Sequence, residues 1–93
     1  MLQIEDQDYQ ILQQILSKYP YQFYAYGSRA KGVARQFSDL DLCYQTEIPS
    51  EIVYQIKEEL EESNLPFIVD LVNWKRMRPA FQELIKKDLT PLF

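Results

Sequence analysis

Residues 22–44 read QFYAYGSRAKGVARQFSDLDLCY. The aromatic, β-prone run Gln22-Phe23-Tyr24-Ala25-Tyr26 stops at Gly27-Ser28, a turn-permissive pair, and predicts a first strand. Arg29 to Ala34 can make a short helix loosened by Gly32, and Asp39-Leu40-Asp41-Leu42-Cys43-Tyr44 reads as a second strand. The densest chemistry of the chain lies between and on these two strands.

Working outward, residues 6 to 19 place Ile11, Leu12, Ile15, Leu16 and Tyr19 at helical spacing until Pro20 stops the pattern. Downstream, residues 51 to 63 carry an apolar stripe of Ile52, Val53, Ile56 and Leu60 against Lys57, Glu58, Glu61 and Glu62, which predicts a second long helix. Phe67-Ile68-Val69-Asp70-Leu71-Val72 looks like a buried third strand with one carboxylate in it. Pro79 can open a last helix through Phe81, Leu84, Ile85 and Leu89, and Pro91 ends it. The order αβαβαβα, without repeat or linker, predicts one domain over residues 1–93 of α/β or α+β class: a small mixed sheet of about three to four strands flanked by helices, in a two-layer form.

Composition narrows the chemistry. With 10 Lys plus Arg against 14 Asp plus Glu, the net charge is −4, so polymer nucleic acid is not the expected substrate. One cysteine and no histidine exclude an internal disulfide, the usual Cys/His zinc sites and Ser-His-Asp or Cys-His catalysis. The start, MLQIEDQDYQ, has no leader pattern, and no apolar run approaches the roughly 20 residues of a membrane helix. A cytoplasmic protein whose chemistry rests on carboxylates, metal or lysine is the expectation.

Asp39 and Asp41 lie two apart on a strand, so both leave one face with their carboxylates close together. Two such anions repel, and a hard divalent cation such as Mg²⁺ relieves them. The alternative is a solvated turn in which Ser38-Asp39 caps the strand entry. Asp70 interrupts an apolar run, where an unpaired charge is costly, so it needs compensation from a metal or from Lys75 or Arg76. If the third strand lies beside the second, Asp39, Asp41 and Asp70 can share a site for two metal ions. At Gly27-Ser28, the missing Cβ lets backbone amides approach phosphate oxygens and Ser28 adds a hydroxyl donor. Arg29 and Lys31 could neutralise a triphosphate or be ordinary exposed cations. The segment is neither a Walker loop nor a Rossmann glycine pattern.

Gly27-Ser28, ten residues, then Asp39-Leu40-Asp41 resembles the signature of the DNA polymerase beta-type nucleotidyltransferase superfamily, and Asp70 matches its third strand aspartate. The resemblance covers about residues 20 to 75, and the small size resembles the minimal nucleotidyltransferases of bacteria and archaea. It implies that Asp39 and Asp41 bind Mg²⁺, that Asp70 joins one metal and assists deprotonation of an acceptor hydroxyl, and that Gly27-Ser28 holds the triphosphate of ATP. It further implies a helical HEPN-type ribonuclease toxin as partner, silenced when one of its tyrosines is adenylylated, so that this chain acts as the antitoxin.

Two other readings stay open: a binding module that neutralises its partner by docking, and a small-molecule, aminoglycoside-type nucleotidyltransferase. The tail Leu89-Thr90-Pro91-Leu92-Phe93, with Tyr9, Tyr19 and Tyr21, offers candidate contact surface, and equally candidate core. Trp74 could stack on a base or sit at the edge of the core. Cys43 shares a strand face with the aspartates and reads as a small buried residue.

Overall fold

The computed structural model describes residues 2–93. Four helices, α1 (Asp6–Leu16), α2 (Ser28–Lys31), α3 (Ser50–Glu61) and α4 (Pro79–Ile85), alternate with strands β1 (Phe23–Tyr26), β2 (Leu40–Tyr44), β3 (Val69–Asn73) and β4 (Thr90–Pro91). The sheet order is β3-β2-β1-β4, with β1 antiparallel to β2 and β4, and β2 parallel to β3.

Alternation along the strands sorts side chains to two faces. Phe23, Ala25, Leu40, Leu42 and Leu71 face α1 and α3, where Leu12, Leu16, Ile56 and Leu60 complete the main core. Truncating a fully buried leucine here, Leu12 for example, costs about 2–5 kcal/mol. α1 carries Asp6 and Asp8 in its first turn, where the helix dipole favours anions, and it is joined to α3 by an ion pair from Lys18 to Glu59 and a hydrogen bond from Tyr19 to the same carboxylate. On the opposite face Tyr26 and Cys43 pack with Ile85 of α4, so helices lie on both sides of the sheet rather than in a strict two-layer form.

Two expectations about the third strand are corrected by the structure. β3 begins at Val69, because Phe67 is drawn under the guanidinium of Arg29 and Ile68 is exposed. β3 is also an edge strand, not a buried one, so Asp70 is solvated and no buried charge needs a partner; neither Lys75 nor Arg76 pairs with it among the described residues. Of the two readings of the tail, core holds for part of it: Thr90–Pro91 adds β4 beside β1 and Leu92 is buried, while Phe93 stays exposed with its ring tilted against Tyr9 at 5.1 Å between ring centres.

Candidate active site

β1 and β2 run antiparallel, so the end of β1 meets the start of β2, and Tyr26 is paired with Asp41. The chain leaves β1 through Gly27 at φ 79° and ψ −157°, a conformation essentially restricted to glycine. It then enters α2 at once, with Gly27 O accepting from the amides of Ala30 and Lys31 at 3.1 Å each. Gly27 is thereby the N-cap of this one-turn helix, and the free amides of a first turn face back past the cap residue. Gly27 and Asp41 touch closely enough that a Cβ on residue 27 would collide with Asp41 Oδ2. α2 ends after one turn at Gly32, φ 77° and ψ 22°, which closes it by the left-handed route.

The parallel register of β2 and β3 sets Asp41 directly beside Asp70. Asp41 is half-buried, and burial, then the charge of Asp70, then that of Asp39, raise its carboxyl above the ordinary aspartate range. Asp39 lies just ahead of β2, exposed, in the loop that returns from α2. Two carboxylates that, with burial, raise the proton affinity of a third make with it a donor set that a hard cation relieves. Among the described residues no three carboxylate or thiol side chains are gathered closely enough to hold one ion, so the exposed side chains of Asp39 and Asp70 must turn in for all three to share one.

Of the expected triphosphate contacts, Ser28 opens α2 directly after Gly27, and Lys31 is exposed at its end. Arg29 is corrected: it is 5% exposed, and its Nε, Nη1 and Nη2 donate to the carbonyls of Ser38, Gln3 and Gln36 at 2.9, 3.0 and 3.2 Å. The guanidinium also lies 4.1 Å from the ring centre of Phe67. Three of its N–H donors serve backbone carbonyls and the side chain is buried, which makes it a structural cation and not an exposed phosphate ligand.

Tyr26 escaped the sequence reading. It stands on the Asp41 face, meets Phe81 of α4 edge-on at 6.0 Å, and its hydroxyl is pushed up to about 12 by burial and by Asp41, Asp70 and Cys43. Strand alternation could have found it, since Tyr24 and Tyr26 fall on one face and Gly27 follows at once. Cys43 is fully buried, its thiol pushed up to about 11 by burial alone, and Trp74 packs at the edge of the same cluster. A hollow of about 780 Å³ opens on the α3 side of Asp39, between Phe37, Lys57, Leu60, Phe67 and Ile68, and not on the Asp41–Asp70 face.

A glycine turn packed on a strand carboxylate, with a second carboxylate in register on the next parallel strand, is the frame of a nucleotidyl-transferring enzyme. The sequence profile of the Polymerase beta, Nucleotidyltransferase family matches residues 10–93, and the chain belongs to that family as a minimal nucleotidyltransferase. Over 79 residues it is 42% identical to a Haemophilus influenzae protein named "Probable protein adenylyltransferase MntA", an alignment spanning 83% of this chain and 68% of that one. Among the described residues, no helix is long and apolar enough to cross a membrane.

Proposed function

We propose that the chain moves AMP from Mg-ATP to a tyrosine hydroxyl of a partner protein, a HEPN-type ribonuclease toxin, and so serves as its antitoxin. The observation that carries this reading is the Asp41–Asp70 register beside Gly27. The name of the Haemophilus influenzae relative supports a protein acceptor. So do the exposed apolar side chains of Phe37 and Ile68 in the hollow shared with Asp39, with exposed Val33 in the same loop, since apolar groups beside a site favour a protein partner.

Asp39 and Asp41 would hold Mg²⁺ with help from Asp70; a bound divalent ion supplies neutralisation of the phosphate charge that develops during transfer. Gly27 and Ser28 hold the phosphates through backbone amides and the Ser28 hydroxyl. Asp70, solvated at the sheet edge, accepts the proton of the incoming hydroxyl. The acceptor oxygen bonds to the α-phosphorus, the bond from that phosphorus to the pyrophosphate oxygen breaks, and pyrophosphate leaves.

The test is incubation with Mg²⁺ and labelled ATP, with and without the protein encoded beside this gene, followed by intact mass. AMP added to a tyrosine of that protein is expected. Tight binding without any mass gain would replace this reading by the docking module.

A further inference from the structure

Gln3 lies ahead of the segment matched by the family, and yet it is joined to the loop that carries Asp39. Its side-chain amide donates to the carbonyl of Ala34 at 3.0 Å and accepts from the amide of Ala34 at 2.9 Å, as a neighbouring strand would. Its backbone N–H donates to the carbonyl of Arg29 at 2.8 Å, and its carbonyl accepts from Arg29 Nη1 at 3.0 Å. Arg29 in turn reaches the carbonyls of Gln36 and Ser38, the second being the residue before Asp39. Its planar face rests on Phe67, three residues before Asp70. Within the loop, the Ser38 hydroxyl accepts from the amide of Arg35 at 2.9 Å.

One buried guanidinium therefore ties three segments: the start of the chain, the loop ahead of Asp39 and the approach to Asp70. An arginine suits this place because its rigid fork can serve three carbonyls at fixed angles, which a lysine cannot. Residues 33–37 belong to no helix or strand, and Val33 and Phe37 are exposed, so nothing in the main core holds this stretch in place.

We infer that Gln3 and Arg29 form a clasp that holds Asp39 in reach of Asp41, making both of them positioning residues for the metal site and not contacts to the nucleotide. The inference rests on the reading of Asp39 as a metal ligand given above. Groups that orient ligands without touching the ion change its affinity, so metal binding is the quantity to measure.

The experiment titrates Mn²⁺ by its electron paramagnetic resonance signal into the full chain saturated with α,β-methylene-ATP, which cannot release pyrophosphate. Arg29→Lys should raise the half-saturating Mn²⁺ concentration ~10-fold. Gln3→Ala, which loses only exposed hydrogen bonds, should raise it about threefold. The half-saturating nucleotide concentration at saturating Mn²⁺ stays unchanged in both. A lower melting temperature with an unmoved Mn²⁺ midpoint would make the two residues merely structural and overturn the clasp. Weakened nucleotide binding with normal Mn²⁺ binding would return Arg29 to the phosphates and overturn it equally. If Arg29→Lys does not fold, Gln3→Ala decides alone. Asp39→Asn separates the two readings: if it leaves Mn²⁺ binding intact, the metal site falls and the clasp with it, whereas if it abolishes binding and the other variants do nothing, only the clasp falls.

Discussion

The carboxylate of Asp41 fills the space that a side chain at residue 27 would need: a β-carbon built on Gly27 runs into Asp41 Oδ2. The backbone at Gly27 is also in a region closed to other residues, so two independent costs fall on any substitution there. Gly27→Ala should lose about 1–3 kcal/mol from the backbone alone and, by displacing Asp41, at least ~100-fold in transfer rate. Urea denaturation and a labelled-ATP assay measure the two losses. Adding Asp41→Ala to Gly27→Ala should restore the part of the stability that comes from the collision.

Gly32 is the internal control. It shares a positive φ of 77°, and yet nothing lies within 4 Å of a β-carbon there. Gly32→Ala should cost about 1–2 kcal/mol for the left-handed backbone and leave the transfer rate alone. A large loss of activity would show that the loop ahead of Asp39 is closer to the reaction than its position indicates.

Asp41 sets function against stability. Its folded-state proton affinity is raised by burial and by the charges of Asp70 and Asp39. Such a group contributes stability that is fully present below its unfolded pKa and is lost as pH rises through the folded one. Asp41→Asn, which never ionises, should abolish transfer and melt a few degrees higher than the wild type in EDTA. Mg²⁺ with a nucleotide analogue should raise the melting temperature of the wild type and not of the variant. In the wild type the Mg²⁺ requirement should grow as pH falls through the raised pKa of Asp41, because proton and metal compete for one carboxylate. A requirement flat down to ordinary aspartate pH would contradict the arrangement.

That Asp41 and Asp70 lie side by side was legible in the sequence, because each sits in a run that reads as a strand and β2 and β3 pair in parallel, whereas Asp39 lies ahead of β2, where strand alternation does not fix the direction of its side chain. The solvation of Asp70 was not legible, since whether a strand is central or at the edge depends on which other strands pair with it. β4 was hidden for a related reason. It is two residues long, includes Pro91, and exists only because β1 offers a free edge. Arg29 shows the same limit from the side of function. Next to a glycine turn, a cation reads as a phosphate ligand, and only the long-range approach of Gln3 and Phe67 reveals that it is buried and bonded to backbone.

Asp70 is exposed, so its replacement should leave the fold alone, within about 0.5 kcal/mol. On the proposed role of Asp70 as the group that receives the acceptor proton, Asp70→Asn should lower kcat by ~100-fold or more while KM for ATP changes little. Steady-state kinetics with the protein acceptor separate the two parameters. A rise in KM at constant kcat would instead make Asp70 a group that only binds the nucleotide.

Tyr26 tests whether the site face is as crowded with negative charge as the register implies. Burial and the charges of Asp41 and Asp70 push its hydroxyl up to about 12, so it stays protonated at every working pH and is no candidate for the catalytic base. Ultraviolet titration of the seven tyrosines should show a component near 12 that is absent in Tyr26→Phe and moves down in Asp41→Asn or Asp70→Asn, where one neighbouring charge is gone. The stability from this group is complete below the ordinary tyrosine value of 10.0 and is lost as pH climbs toward 12. Tyr26→Phe, which keeps the ring packed edge-on against Phe81, should therefore resist alkaline unfolding better than the wild type and transfer AMP at the same rate near neutrality. A large fall in rate would give the hydroxyl a direct part in holding Asp41 or the phosphates, whereas a tyrosine titration unchanged by removing either aspartate would mean that Asp41 and Asp70 do not face Tyr26 as the paired strands place them.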